Sequence, residues 1–314
     1  MDRPDTSFSG KRIFVTGGSG FIGSHLIRQL QEMGAVVSLI SREKKAGPTG
    51  ITRYTGDIRD FSVVESCIRD CEPELIFHLA AYKERSEEIP AFRSSIETNL
   101  IGSLNVFSAA GSICSLESLI TLGTAEEYGN SVPPFNERTR EDPVTPYSFS
   151  KVCVSHMGEL FFHLYNLPVT IVRPTLAYGP AQGTDMFLPA LITSLLDNKL
   201  FPMTKGEQTR DFVYVADLVE ALLMASKNTS ARGQVLNIGS GIAVKLADIT
   251  EKIERLTGRR GLVKFGGKPC RKNEVMEYFA DVRKAEELLG WRAQTSLEDG
   301  LTRTIDYYRG VKGL

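Results

Sequence analysis

The amino-acid sequence predicts an α/β fold: a doubly wound parallel sheet covered by helices, with a smaller C-terminal α/β lobe. Three observations carry that expectation. Short β-branched runs alternate with helical patterns from Lys11 to Arg173, as parallel strands joined by crossover helices require. A glycine-rich turn follows the first of those runs directly. Beyond Arg173 the rhythm is broken by Pro174, Gly179, Pro180, Pro189 and Pro202. With 314 residues, 42% hydrophobic and 24% charged, the chain has enough apolar material for a large core and is not disordered.

In chain order the expected strands are Arg12–Thr16, Ala35–Ile40, Ile51–Thr55, Leu75–Leu79, Ser118–Leu122 and Val169–Arg173, with helices around 22–32, 61–70, 91–111 and 147–165. Asn237-Ile238-Gly239-Ser240 reads as a last strand returning to the sheet, so the two lobes interleave. A nucleotide-binding domain is expected over 1–173 and 213–240, and a substrate lobe over 174–212 and 241–314.

A formal net charge of -1 and a pI near 6.5 leave no broad electropositive field, which argues against a nucleic-acid partner. Cysteines at 67, 71, 114, 153 and 270 lack metal-ligand spacing and read as reduced, mostly buried thiols, with no metal expected. The polar Met1–Asp5 start has no apolar leader pattern, and no apolar run reaches the ~18 residues of a membrane span. A soluble cytoplasmic protein is expected.

Thr16-Gly17-Gly18-Ser19-Gly20-Phe21-Ile22-Gly23 passes from the first strand into a helix, with Gly17, Gly20 and Gly23 at dinucleotide-fingerprint spacing. A pyrophosphate can approach backbone N–H groups there because no Cβ intervenes. Gly17, Ser19, Gly20, Phe21, Ile22 and Gly23 are the expected contacts. At the end of the second strand, where an acidic residue would hold the ribose hydroxyls of NAD, stands Ile40-Ser41-Arg42. Ser41 does not repel a 2′-phosphate and Arg42 can pair with one, so NADP is the expected cofactor and NAD the alternative. Asp57 either accepts from the adenine amino group or caps the helix that begins near Asp60.

Tyr147 and Lys151 stand four apart, hence on one face of a helix that Pro146 can start. A tyrosine needs its anion stabilised by about 3 pKa units to exchange protons near neutrality, and a neighbouring ammonium contributes to that. After the fifth strand, Thr124 places a hydroxyl for the same reacting oxygen. The expected roles are Tyr147 as proton donor, Thr124 as hydrogen-bonding partner of the substrate oxygen, and Lys151 as the group that anchors the nicotinamide ribose and tunes the tyrosine. Lys83 and Arg85 follow the fourth strand, at the sheet edge where substrate hydroxyls are expected.

These motifs, together with His78-Leu79-Ala80-Ala81, Thr98-Asn99-Leu100-Ile101-Gly102, Thr124 through Gly129, Arg173-Pro174, Tyr178-Gly179-Pro180, Arg210 through Asp217 and Leu289-Gly290-Trp291, resemble the extended short-chain dehydrogenases of the nucleotide-sugar epimerase/dehydratase group along nearly the whole chain. The resemblance implies a Rossmann-type cofactor domain in which Ile58, Leu79, Ala80, Ala81, Asn99 and Pro174 also line the cofactor site. It implies a nucleotide-sugar substrate whose diphosphate meets Arg210 and Arg271, and a homodimer formed through a four-helix seam of helices 91–111 and 147–165.

Three reactions share this machinery: ketone reduction, C4 epimerisation and 4,6-dehydration. Dehydration requires an acid for the departing hydroxyl and a base for the neighbouring proton. Glu126 can be the base, but Ala125 has no proton to give. Gly123 through Gly129 looks most like the nucleotide 4-keto-6-deoxyhexose reductases of deoxysugar synthesis, with Lys83, Thr124, Ala125 and Glu126 at the sugar. An NADP-type second strand fits a net reductant. Epimerase or dehydratase is the alternative; a reductase of small aldehydes or flavonoids and a non-catalytic dinucleotide sensor are the remaining readings.

Overall fold

The computed structural model describes residues 7–42, 49–84, 86, 88–271 and 273–314. The chain forms two compact units. The first comprises residues 1–129, 141–173 and 219–236; the second comprises 130–140, 174–218 and 237–314.

In the first unit six strands, β1 (Arg12–Thr16), β2 (Val36–Ser41), β3 (Thr52–Thr55), β4 (Leu75–His78), β5 (Ser118–Leu122) and β6 (Val169–Pro174), pair in parallel. Strand Val235–Ile238 completes a seven-stranded sheet at the β6 edge, in the order Val235–Ile238, β6, β5, β4, β1, β2, β3. It lies two residues earlier than expected from the Asn237–Ser240 pattern, because the apolar pair Val235-Leu236 is what the sheet buries. β4 and β5 are buried at every position, as strands covered on both faces must be. The strand order reverses between β1 and β4, so their carboxyl ends, Thr16 and His78 in register, flank the crevice where doubly wound sheets take ligands.

Helices α1 (Phe21–Glu32) and α2 (Phe61–Cys71) form where expected. The stretch expected as one helix over 91–111 is instead α3 (Ile89–Ser95), a π-helical turn Ile96–Ile101, and α4 (Gly102–Ala110). A π turn inserts one extra residue into a helix, re-aims the side chains within it and is frequent at functional sites. Here it carries Asn99. Helix α5 (Pro146–Tyr165) starts with Pro146 at its first position, and Thr145 caps it by accepting from the Ser148 N–H at 3.0 Å. The apolar faces of α2, α4 and α5 meet β1, β4, β5 and β6 in one core containing Phe14, Ile68, Ile76, Val106, Phe107, Val154 and Val169.

The second unit packs helices Phe187–Leu196, Leu246–Thr257 and Leu297–Lys312 around Leu191, Leu195, Ile249, Ile253, Leu301 and Ile305. Its strands are short pairs: Leu176–Tyr178 with Phe212–Tyr214, Thr209–Arg210 with Val244–Lys245, and Phe201–Pro202 with Val263–Lys264. Their two- and three-residue lengths explain why no clear periodicity marks them. The cysteine expectation is corrected in part. All five are free, but only Cys67 and Cys71 are buried, whereas Cys114 and Cys270 are exposed and Cys153 is intermediate. Cys67 and Cys71 lie on the inner face of α2; the other positions fall outside the cores' apolar stripes. Among the described residues, no helix is long and apolar enough to cross a membrane.

Asp211 ties the second unit together. It is fully buried and accepts from the Ser240 N–H at 2.8 Å, the Ser240 hydroxyl at 2.6 Å, the Gly241 N–H at 3.1 Å and the Ala280 N–H at 3.3 Å. Asp211→Ala strands these donors away from water, and each unpaired buried group costs on the order of 1–3 kcal/mol. Its urea midpoint is expected to fall by an amount equivalent to about 3 kcal/mol or more; a shift below about 0.5 kcal/mol contradicts the assignment.

Candidate active site

The phosphate turn has the shape its glycines predict. Gly17 sits at φ +71°, and a Cβ there would lie 2.6 Å from the backbone nitrogen of Ala80. A Cβ on Gly23 would lie 2.3 Å from the Gly17 carbonyl oxygen. The turn is closed by the Gly20 N–H donating to the Gly17 carbonyl at 3.0 Å, and α1 begins with no side-chain cap and no acidic residue in its first turn. Its N-terminal N–H groups and positive dipole end are therefore left for an anion. This cradle fits the pyrophosphate of a dinucleotide.

His78 locks the turn to the fourth strand. Its Nδ1 is 2.7 Å from the Thr16 hydroxyl, which also accepts from the Ala80 N–H at 3.1 Å. Its Nε2 is 2.8 Å from the Ser103 hydroxyl, which donates to the Asn99 carbonyl. Burial, aided by the positive charge of Lys151, pushes the imidazole down to about 3, so it is neutral at physiological pH. The hydrogen bonds then run one way: the Thr16 hydroxyl donates to Nδ1 and Nε2–H donates to Ser103.

At the end of β2, Ser41 is half-buried and Arg42 exposed. Asp57 is engaged by Arg59, whose backbone N–H donates at 2.9 Å and whose Nε and Nη2 donate at 3.1 and 2.8 Å. That arginine, with Arg42 contributing at longer range, holds the Asp57 carboxyl below the usual carboxylate range. The cap of α2 is Asp60, which accepts from the Val63 N–H at 3.2 Å, so the capping alternative for Asp57 is overturned. Asp57 sits too far before the first helical residue for its oxygen to serve the N2 or N3 position.

Lys151 is fully enclosed, and its ammonium donates to the Leu122 carbonyl, the last of β5, at 2.7 Å. This bond sets the start of α5 against the end of β5. Tyr147, one helical turn earlier on the same face, is half-buried. Thr124 lies two residues past Leu122 with extended backbone, and its hydroxyl oxygen accepts from the Glu126 N–H at 3.2 Å. Burial lowers Lys151 to about 8, against the opposing pull of Glu127.

Asn99 spends its side chain on the protein. Its Oδ1 accepts from the Tyr82 N–H at 2.6 Å, and its Nδ2 donates to the Tyr82 carbonyl at 3.0 Å and the Ser150 hydroxyl at 2.8 Å. Ser150 in turn donates to the Tyr147 carbonyl at 2.7 Å. These bonds brace the loop after β4 against the first turn of α5. The Ala125 expectation is corrected: the residue is fully buried and has no surface to offer a substrate. Glu126 is half-buried and Lys83 exposed, while Arg85 lies outside the described residues. Ile58 is buried in the core, and Leu79, Ala80 and Ala81 follow β4. Pro174 ends β6.

In the second unit Arg210 pairs with Glu274 and donates to the Thr209 and Val275 carbonyls at 2.7 and 2.8 Å; Arg271 is exposed. Sequence reasoning missed Glu127, Ser155 and Arg173. Their signal was present in part, since Thr124-x-x-Glu127 spells a capping box, and the structure forms one.

A family model described as the NAD dependent epimerase/dehydratase family matches residues 13–239. The dTDP-glucose 4,6-dehydratase 1 of Escherichia coli is 28% identical over 95% of this chain and 92% of its own length. The crystal structure of the Thermotoga maritima UDP-glucose 4-epimerase with UDP-glucose superposes with a TM-score of 0.89 at 30% identity, covering 96% of this chain and 99% of that one. A dTDP-glucose 4,6-dehydratase from Streptomyces venezuelae with NAD bound superposes with a TM-score of 0.87 at 27% identity, covering 96% and 98%.

The cradle yields a contrast. An added Cβ at Gly17 strikes backbone in a left-handed conformation, whereas at Gly18 it meets chiefly the flexible tip of Ile27 at 2.5 Å. Gly17→Ala is expected to weaken dinucleotide binding by at least about tenfold, equivalent to ~1.4 kcal/mol, and Gly18→Ala by less. Fluorescence titration with NADH and NADPH measures both; equal losses contradict the assignment.

Proposed function

The chain belongs to the NAD dependent epimerase/dehydratase family, and from that premise we propose that it reduces the C4 ketone of a nucleotide-linked 4-keto-6-deoxyhexose, with NADPH as reductant. The coarser statement holds already: it is an enzyme of the extended short-chain dehydrogenase type, related throughout to nucleotide-sugar epimerases and dehydratases.

The observation that carries the reading is the buried Lys151, one turn from Tyr147 and held on the carbonyl of Leu122, two residues before Thr124. A bound nicotinamide supplies the hydride. In the proposed reaction Thr124 donates a hydrogen bond to the substrate carbonyl oxygen, which strengthens as negative charge grows there. Tyr147 gives that oxygen its proton, and the Lys151 ammonium stabilises the tyrosinate left behind. Asn99 acts through Tyr82 and Ser150 by holding the first turn of α5 in place.

Net reduction is favoured over dehydration because Ala125 has no proton and no exposed surface. NADPH is favoured by Ser41 and Arg42, with the nearby carboxylate of Asp57 neutralised by Arg59. Arg210 and Arg271 are proposed to meet the substrate's diphosphate, which requires Arg210 to exchange its Glu274 partner for phosphate oxygens. A homodimer is proposed on exposed apolar side chains of α3 to α5, among them Phe92, Leu104, Phe149, Leu160 and Leu164.

The second reading is C4 epimerisation with NAD, favoured by the relatives: a UDP-glucose 4-epimerase structure is among the similar folds, and a dehydratase neighbour holds NAD. An epimerase returns its hydride within each cycle, so it purifies with NAD and consumes no reductant. The reductase consumes NADPH one for one with a nucleotide-linked 4-keto-6-deoxyhexose. Absorbance at 340 nm with that substrate, and analysis of the dinucleotide extracted from pure protein, decide between them.

Tyr147→Phe is expected to lower kcat about 10³-fold, within the range for loss of a general acid; undiminished turnover contradicts the mechanism. The charged form of Lys151 is the active one and its proton leaves near pH 8, so kcat is expected to decline as pH rises through about 8. A profile flat to pH 10 contradicts the role given to Lys151.

A further inference from the structure

We propose that Glu127 is a positioning residue of this active site, pinning the backbone of Thr124 and standing as the buried counter-charge to the Lys151 ammonium. The proposal rests on the catalytic reading of Thr124, Tyr147 and Lys151 and adds a residue that touches neither substrate nor cofactor.

The geometry lies in one stripe of α5. Tyr147, Lys151 and Ser155 are spaced four apart, so they succeed one another along one face, each about 6 Å further along the axis. Lys151 bonds the Leu122 carbonyl at 2.7 Å, and Ser155 donates to a Glu127 carboxylate oxygen at 2.7 Å. The other Glu127 oxygen accepts from the Thr124 N–H at 2.8 Å. Helix α5 thus grips the end of β5 and the turn after it twice, once through the Lys151 ammonium and once through the Ser155 hydroxyl donating to the Glu127 carboxylate. Gly123 makes room: a Cβ there would lie 2.4 Å from a Glu127 oxygen.

Glu127 and Arg173 are both almost wholly excluded from solvent and stand 2.7 Å apart. Arg173 also pairs with Glu141 at 2.7 Å, and its guanidinium carbon lies 4.8 Å from the centre of the Tyr128 ring. Burial pushes the Glu127 carboxyl up, while Arg173, the Ser155 hydroxyl, the Thr124 N–H and Lys151 pull it down. Both oxygens accept from donors, which is the pattern of an ionised carboxylate. Burial works against the charge of Arg173, but Glu127 and Glu141 hold it in the charged form.

Among the described residues, other ionisable groups near this centre are Glu126 and Tyr128 beside Glu127 in the chain, the latter acting on Arg173, and those of neighbouring elements. His78 on β4 is neutral, Tyr147 shares the helix, Cys153 feels the Glu127 charge, and the exposed His156 meets Glu141 at 3.5 Å. Glu127 is therefore the anion that offsets the burial of Lys151. Arg173 keeps that anion charged, and Thr124 is held by the same group.

The test uses the whole protein with lysine labelled with 13C at Cε, the Lys151 resonance being assigned by its loss in Lys151→Met. In Glu127→Gln, which keeps the shape and removes the charge, the Lys151 midpoint is expected to fall by about one pH unit below the wild-type value. In Glu127→Asp it stays within a few tenths. The alkaline limb of kcat, read as NADPH oxidation with a nucleotide-linked 4-keto-6-deoxyhexose, moves with it. A purely structural role lowers thermal stability and kcat at every pH and leaves the midpoint in place, and that result overturns the proposal. A second measurement needs only wild-type protein: the 13C-labelled carboxyl carbon of Glu127 keeps an ionised shift from pH 6 to 9, and a protonated shift at neutral pH overturns the proposal whatever the variants do. The NMR midpoints are independent of which reaction is catalysed. A failure of the catalytic reading appears instead as full activity in Tyr147→Phe.

Discussion

The burial of the Lys151 ammonium against the carbonyl at the end of β5 is the contact on which the proposed chemistry turns. A charge removed from water must be paid for by partners of fixed geometry. Here those partners are a strand-end carbonyl and the field of one buried carboxylate. Because they belong to β5 and the turn after it, α5 takes one register, and that register brings Tyr147 to the same edge as Thr124. Where the ammonium is satisfied, the tyrosine and the threonine follow.

The proposed dinucleotide cradle lies at the same edge of the sheet. β1 and β4 lie side by side where the strand order reverses, and the Thr16–His78–Ser103–Asn99 chain of hydrogen bonds runs from the phosphate turn to the π-helical turn. Asn99 continues it to Tyr82 and Ser150. A neutral histidine suits this place, since a second buried cation close to Lys151 would be repelled by it. The cofactor cradle and the proposed acid–base pair are thus braced against one another within one unit by groups that are almost all buried and hydrogen-bonded.

Much of this was legible in the residues. Gly17, Gly20 and Gly23 announce the turn by their spacing, an added Cβ striking backbone at Gly17 and Gly23, and the Tyr147–Lys151 spacing announces a shared helix face because the helical period allows nothing else. The β-branched runs mark the parallel strands to within a residue or two for the same kind of reason: each is a local rule. The π turn in the 91–111 segment left no mark in the local pattern, and the Asn99 it carries bonds Tyr82 and Ser150, groups far away in sequence. Of the two readings of Asp57, the helix cap falls to Asp60, and the Asp57 carboxylate is paired with the nearby Arg59.

Chain chemistry alone therefore predicted the architecture that the structure forms and named the proposed phosphate cradle and the proposed reacting side chains, because backbone periodicity, Cβ sterics and functional-group type are carried by each residue and its close neighbours. The setting of those side chains came from the packed molecule. Glu127 reads in sequence as a second acid beside Glu126, and Arg173 as the end of a strand; folding removes both from water, joins them at 2.7 Å and gives them Ser155 and Thr124 as partners. Burial and long-range pairing decide whether a carboxylate is a solvated surface charge or a fixed counter-ion, and those are properties of the three-dimensional surroundings.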